Sequence, residues 1–444
     1  MFRTGSSYGR LKILPLAAVI FLTVSGGPYG LEPLLIYGGR HGALLLLLLT
    51  PLFWDVPTIL MVMEMNSMMP VSGGYYQWVK KALGIRWAWY EGWWTWLYTF
   101  VDLAIYPVLF VEYASFFWPD MAHYKIPACL AIIWTGVGFN ILGIVPVGKI
   151  SMILGTAVVL PFLVLFGIHV SHGSFHVPSL SLKNIGFSSL GMGLYTVMWN
   201  FIGWDNITTY ANEVNRPVRT YLVSILIAFA LTLGIYFIAV STTLSSNLSL
   251  AVLNDAGFPA LGALVGGHWL AMVIAAGGMA SAIGLFSAVL LSISRVPKVM
   301  ADDHLLPKKL HTLHRRFKTP YISIIISGII VSGMILWSFG DLIIIDITLY
   351  GGALVLELIS LIKFRIDWPD QKRPFKIPLN VAGLCILILL PVSVYCIALT
   401  SAFSIESKML IPAVFALCAL LSGEVGWRIV AWRRRVKPGS ELLN

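Results

Sequence analysis

The chain has 444 residues, 58% hydrophobic and only 11% charged, where a soluble domain carries about 25% charged residues. That balance, with many apolar runs of bilayer length, excludes a soluble enzyme and reads as a polytopic membrane protein. The formal net charge of +10 would suit a nucleic-acid binder, but its distribution along the chain points elsewhere.

In chain order the hydrophobic pattern predicts twelve spans: 13–37 (interrupted), 42–65, 93–117, 126–145, 150–170, 187–212 (interrupted), 220–244, 269–294, 320–338, 341–362, 379–400 and 408–430. The irregular segments 66–92 and 245–268 have room for short amphipathic helices. The expected fold is all-α, a single transmembrane domain over 1–430 followed by a basic tail, 431–444. The first span starts basic and ends in small residues like a signal peptide, but its apolar continuation through Leu31–Tyr37 predicts retention.

With twelve spans and an inner N-terminus, 26 of the 30 lysines and arginines fall on the inner side and four, Arg40, Lys125, Lys183 and Lys408, on the outer side. This asymmetry is the positive-inside rule, and it predicts cytoplasmic N- and C-termini. The tail "RRRVKP" is then a topology anchor, and no nucleic-acid partner is expected. The four cysteines, Cys129, Cys385, Cys396 and Cys418, lie within predicted spans at no metal or redox spacing. The tryptophan-rich run "RWAWYEGWWTW" (86–96) reads as an interfacial belt at the start of the third helix.

Two spans are broken. In the first, "SGGPYGLEP" (25–33) puts Ser25, Gly26, Gly27, Tyr29 and Glu32 where a helix crosses lipid. In the sixth, Trp199, Phe201, Gly203, Trp204 and Asp205 surround a second interruption. Unpaired backbone is tolerated at membrane depth only where it is buried or lines a cavity. Breaks at matching positions of two five-span units point to a transporter site near the midplane.

At these residues the chain resembles the amino acid–polyamine–organocation superfamily. The segments that carry the resemblance are "EMNSMMPVSGGYYQWVKKALG" (64–84), "WNFIGWDNITTYANEVNRPVRT" (199–220), "SRVPKVMADDHLLPKKL" (294–310) and "DQKRPFKIPL" (370–379). Within it, "VSGGPYGLE", "DLAIYPVLFVEY" (102–113), the "WD" of span 6 and "LYGGALVLELISLIKFR" (349–365) are similar to plant and protozoan polyamine:proton symporters. The resemblance implies a LeuT-like fold. Two inverted five-helix repeats, 13–170 and 187–362, would be followed by accessory helices 11 and 12 at 379–430. It also implies proton-coupled alternating access at the plasma membrane, with substrate between the broken helices and helices 3, 8 and 10. Where the symporters carry a second acid after the helix 1 glutamate, this chain has Pro33. An amino-acid permease of the same superfamily is therefore the alternative, its ligand carboxylate on the N–H groups around Gly26 and Gly27.

The intramembrane acids sharpen the expectation. Each costs about 2.5–3.5 kcal/mol at a helix centre on insertion scales, and such residues mark pathways or pair inside the bundle. Glu32, Asp102, Asp205 and Glu357 are expected to supply negative charge to a substrate amine, and Tyr29, Tyr106, Trp199, Trp204 and Tyr350 aromatic walls for it. Glu32, Asp205, Asp346 and Glu357 are the candidates for proton coupling. Asp346 is expected near the outer face, in reach of water, while Asp55 and Glu112 are read as structural or interfacial. Glu64 is read as a structural helix-end partner, or a gate partner, for basic loop residues. Ser281 and Ser287 leave a sodium site open as an alternative coupling. No Walker motif, nucleophile–base pair or metal motif appears, so neither an ATP-driven pump, an enzyme, a cofactor nor a metal is expected. The expected partners are a small-molecule substrate, protons and the lipid bilayer.

Overall fold

In the computed structural model the described residues are 12–436, apart from 72, 143–148, 174, 177, 179, 184, 207, 209–216, 294–295, 318 and 405–408. Their helices are α1 (Ile13–Val24), α2 (Glu32–Phe53), α3 (Asp55–Met68), α4 (Gly74–Leu83), α5 (Ile85–Ala114), α6 (Lys125–Ile141), α7 (Lys149–Ser171) and α8 (Phe187–Asn200). They continue with α9 (Pro217–Ser245), α10 (Leu250–Gly266), α11 (His268–Ile293), α12 (Val296–Asp302), α13 (Tyr321–Met334), α14 (Phe339–Asp367), α15 (Val381–Ala402) and α16 (Leu410–Val436). No strand occurs among the described residues.

Nine stretches of the described chain are long and apolar enough to cross a membrane, and α1, α10 and α13 are shorter apolar helices. The protein is therefore an all-helical, multi-pass membrane protein. The predicted first span becomes α1 and the start of α2, and the second becomes the rest of α2 with α3. Gly39, with φ 63° and ψ −174°, turns the chain inside α2 and joins the two spans without a loop. The sixth span opens as α8, and its end, 209–212, lies outside the described residues.

Both breaks have local causes. α1 stops at Val24 because Gly26 and Gly27 take φ of +60° and +97°, and Pro28 brings no N–H. A Cβ at Gly26 would also run into Leu285 and Ser281 of α11, so the chain needs glycine for space as well as for conformation. In the second break Gly203 takes φ +97° and ends the run of helical dihedrals after Asn200. The breaks are tied to each other. Asn200 Nδ2 donates to the Gly30 carbonyl at 3.3 Å. The Tyr236 hydroxyl of α9 donates to Asn200 O at 3.0 Å and lies 3.4 Å from Ser25 O.

α5 and α14 form the centre of the bundle. Their apolar windows are 83% buried, against 22% for α16, so acids on α5 and α14 face protein rather than lipid. α5 starts at Ile85, eight residues before the predicted span, because the tryptophan-rich run is helical. The indoles of that run also make contacts within the protein. Trp89 and Trp94 donate to the Gly423 and Leu420 carbonyls, and Trp93 to Ser422 Oγ, at 2.8–3.0 Å. Helical spacing aligns these three indoles along α16, where each N–H finds an acceptor, while Trp96 Nε1 of the same run is buried without one.

The two ends of the bundle differ. At the end carrying α4, Glu64 takes two hydrogen bonds from Arg365, at 2.5 and 2.6 Å, one from the Ile377 N–H at 2.8 Å, and an ion pair with Arg373 at 3.2 Å. At the same end Asp303 accepts from Lys80 and Tyr76 of α4, both at 2.6 Å. At the end carrying α10, Arg40 donates to the Ser246 and Leu248 carbonyls that follow α9.

Candidate functional site

The predicted site residues fall at three levels along α5. At the α10 end lies a cavity of about 500 Å³, lined by Glu32, Glu112, Asp255, Tyr113, Phe116 and Phe339 among others. Glu32 is the first residue of α2, and its carboxylate folds back on the break. Oε2 accepts from the Gly30 N–H at 2.9 Å, and Oε1 accepts from Tyr113 at 2.5 Å and from the Phe258 N–H at 3.4 Å. Glu32 thus sits in the wall of this vestibule and ties α2 to α5 and α10.

The middle level is a small closed cavity of about 10 Å³, room for about one water. Ser25, Asp102, Tyr106, Trp199 and Gly203 line it, as do Asn200, Asn206 and Leu285. The Asp102 carboxylate is held by Tyr106, whose hydroxyl lies 2.8 Å from both oxygens, and by the Trp199 indole N–H at 3.3 Å. Tyr106 is one turn further along α5, so the i, i+4 spacing makes this pair locally. Asp346 of α14 stands in electrostatic range of Asp102. It is fully buried and neither oxygen has a hydrogen-bond partner. The expectation of a solvated Asp346 near the outer face is therefore corrected: α14 turns this residue into the bundle.

The lower level is built around Asp205. Tyr350 donates to its Oδ1 at 3.3 Å, and Glu357, also on α14, lies in electrostatic range of it. Tyr350 packs edge-on against Tyr98 of α5, with ring centroids 5.3 Å apart, and Tyr98 donates to Asn206 Oδ1 at 3.3 Å. Glu91 of α5 completes this level; Thr95 donates to its Oε1 at 3.2 Å.

Four residues expected as walls or break contacts, Trp204, Phe201, Tyr29 and Gly27, lie away from the small cavity. Trp204 turns outward from the break, donates to Asp55 Oδ1 at 3.2 Å and packs on Phe229. An indole N–H buried at this depth needs an acceptor, and Asp55 provides it. Phe201 packs on Tyr236, and Tyr29 on Tyr113 and Phe162. Gly27 faces Val158 of α7. Ser281, named for a sodium site, donates to the Gly26 carbonyl, and His169 hydrogen bonds Ser245 at 2.8 Å.

Sequence reasoning missed Glu91, Tyr98, Tyr113, Asn200, Asn206 and Tyr236. Glu91 and Tyr98 were hidden in and beside the aromatic run. Their signal is the spacing Glu91, Thr95, Tyr98, Asp102, Tyr106, one polar stripe on a helix that is mostly apolar or aromatic.

The comparisons with known proteins agree with this architecture. The family described as "Amino acid permease" matches residues 11–418. Polyamine transporter RMV1 of Arabidopsis thaliana is 32% identical over 399 residues, covering 88% of this chain and 80% of its own. A probable polyamine transporter of the same plant is 34% identical over 393 residues, covering 86% and 80%. Polyamine transporter PUT1 of Oryza sativa subsp. japonica is 31% identical over 395 residues, covering 87% and 72%. These names describe transporters and not enzymes. The chain belongs to the amino acid permease family of the amino acid–polyamine–organocation superfamily, and it is a membrane transporter.

Proposed function

We propose that this transporter imports polyamines or related organic cations by proton symport with alternating access. The observation that carries the reading is a column of buried acids without cations. Asp102 lines the cavity, Asp346 stands beside it, and Asp205 with Glu357 lies below. None forms an ion pair with a lysine or arginine among the described residues, whereas Glu64 at the α4 end has two. An ammonium group supplies the missing charge, and the Tyr106 and Trp199 rings give it apolar and π surface.

The spacing suits a diamine. Tyr98 lies one turn before Asp102, a rise of about 6 Å, and it packs on the tyrosine that holds Asp205. Two amines separated by four carbons, five bonds in extended form, also stand about 6 Å apart. One amine at Asp102 and the other at Asp205 fit that step.

By the positive-inside rule the α4 end, with its basic segments and both termini, faces the cytoplasm, and the α10 end faces outward at the plasma membrane. The 500 Å³ vestibule is then the entry, and the Glu64–Arg365 and Asp303–Lys80 pairs close the exit. The closed central cavity has no room for a diamine, so helices must separate before substrate binds. Rocking of two five-helix units, 13–170 and 187–362, against each other supplies that motion, with 379–430 as accessory helices and 431–444 as tail. Glu32, Asp205, Asp346 and Glu357 are the acids through which a proton is coupled.

A second reading, an amino-acid permease, has the family description in its favour. Its ligand carboxylate needs free N–H groups at the first break. Those of Gly26 and Gly27 are occupied, by Phe21 O at 3.1 Å and Ser25 Oγ at 3.1 Å. Competition separates the two readings in reconstituted vesicles. Putrescine uptake blocked by spermidine and indifferent to leucine and arginine is the expected result, and uptake of leucine or arginine with no response to spermidine supports the permease.

A further inference from the structure

Asn200, the last residue of α8, has a side chain that is tied at one end only. It is 2% exposed and lines the central cavity together with Asp102 and Trp199. Its Nδ2 donates to the Thr196 carbonyl at 2.9 Å and to the Gly30 carbonyl at 3.3 Å. Two carbonyl oxygens on that side require the amide nitrogen there, so the other end of the amide is Oδ1. Oδ1 is buried and has no hydrogen-bond partner among the described residues. The backbone is held as well, because Asn200 O accepts from the Tyr236 hydroxyl at 3.0 Å. A bond to Thr196 alone would be ordinary for an asparagine one turn further along a helix. It explains neither the reach to Gly30 in the other break nor the bare acceptor in the cavity wall.

We infer that Asn200 is a specificity-determining residue: its Oδ1 accepts an N–H from the substrate's ammonium group and restricts the site to amines that carry N–H donors. The inference rests on the polyamine reading and narrows it, from organic cations in general to primary and secondary amines. A carboxylate attracts any organic cation, so Asp102 alone does not tell an ammonium group from a quaternary nitrogen of the same charge. A neutral acceptor does. A primary ammonium has three N–H donors, enough for Asp102, for Oδ1 and for one further acceptor. A quaternary nitrogen has none and leaves Oδ1 buried and unpaired. A site built to bond an N–H rejects the analogue that lacks it far more strongly than a pocket rejects one extra methylene.

Consecutive residues bring charge and acceptor together. Trp199 sends its N–H to Asp102 Oδ1 at 3.3 Å, and the next residue carries the neutral acceptor into the same cavity. Asn200 ends the helix before the second break and holds the Gly30 carbonyl of the first. A ligand on Oδ1 therefore bears on both broken segments through one side chain.

The test is equilibrium binding to the purified full chain, with putrescine and with its analogue in which each nitrogen carries three methyl groups. The parent protein is expected to bind putrescine at least about tenfold more tightly than the analogue. Asn200→Leu, similar in shape and without polar atoms, is expected to weaken putrescine about tenfold and to leave the analogue within about twofold, so that the ratio between the ligands collapses. Asn200→Ala, which removes the acceptor without filling its place, is expected to lower the ratio in the same direction and gives the reading should the leucine variant fail to fold. Equal weakening of both ligands overturns the inference, because a merely structural asparagine affects them alike. Putrescine binding unchanged in the variants overturns it as well, since water then serves Oδ1 in place of the amine. A parent protein that binds the analogue as tightly as putrescine overturns it and leaves the organic-cation reading standing. A parent protein that binds neither ligand fails the substrate reading itself, and the inference falls with it.

Discussion

The Trp199 indole N–H donates to Asp102 Oδ1 at 3.3 Å and joins the end of α8 to the middle of α5 across the central cavity. The contact sets both the charge and the wall of the site, because the ring and the carboxylate line the same space. Trp199→Phe keeps a ring and removes the donor. A hydrogen bond to a charged group is worth about 1.5–3 kcal/mol. We expect altered putrescine affinity with normal membrane insertion, read by binding to detergent-purified protein. Trp199→Ala, which removes the ring as well, is expected to weaken binding further.

Glu64 and Arg365 form an ion pair at the α4 end, both almost fully buried. Removing one partner of a buried pair leaves an uncompensated charge and costs about 3–5 kcal/mol. Glu64→Ala strands both Arg365 and Arg373, so it is expected to lower the unfolding temperature clearly, measured on purified protein. Breaking the exposed Lys363–Asp367 pair, at 2.8 Å on α14, is expected to cost no more than about 1 kcal/mol.

Gly26 is predicted to tolerate no side chain. Its φ of +60° and the closeness of Leu285 and Ser281 both oppose a Cβ. Gly26→Ala is expected to abolish uptake while protein still reaches the membrane, measured as transport per molecule at the surface. Gly138 in α6 is the control, since nothing lies within 4 Å of a Cβ there. Replacing it by alanine gains up to about 1 kcal/mol of helix propensity and leaves transport intact.

The vestibule acids Glu112 and Asp255 are expected to act at a distance. A cleft lined by one sign of charge raises the local concentration of an oppositely charged ligand, and salt screens the effect over about 10 Å at 0.1 M. Asp255→Asn with Glu112→Gln is predicted to raise the apparent KM for putrescine at low ionic strength. The difference is predicted to shrink at high salt, which a KM series across salt concentrations checks. A difference that persists at high salt contradicts steering.

Much of this was legible in the sequence, for identifiable reasons. Acids are rare inside apolar runs, and a glycine near an acid is rarer, which marks Gly26, Gly203, Asp102 and Asp205; all four lie at the breaks or beside the cavity. What sequence cannot give is the direction of a side chain at a break. Trp204 and Asp205 are neighbours, yet one turns to Asp55 and the other to Tyr350. Helical rotation was equally hidden. It buries Asp346 fully, while Glu32 is drawn into the vestibule wall by Gly30, Tyr113 and Phe258. Glu91 was overlooked because six aromatic residues stand within five positions of it, and that density outweighed the polar stripe of which it is the first member.

The central claim is that a buried carboxylate in the α5 wall receives an amine. Equilibrium binding of putrescine, spermidine and leucine to purified protein, before and after Asp102→Asn, tests it most directly. The predicted result is binding of both amines and not of leucine, with amine affinity falling about tenfold or more on neutralisation, the worth of one charge-assisted hydrogen bond. Binding of leucine in place of the amines, or amine binding unchanged in Asp102→Asn, would contradict it.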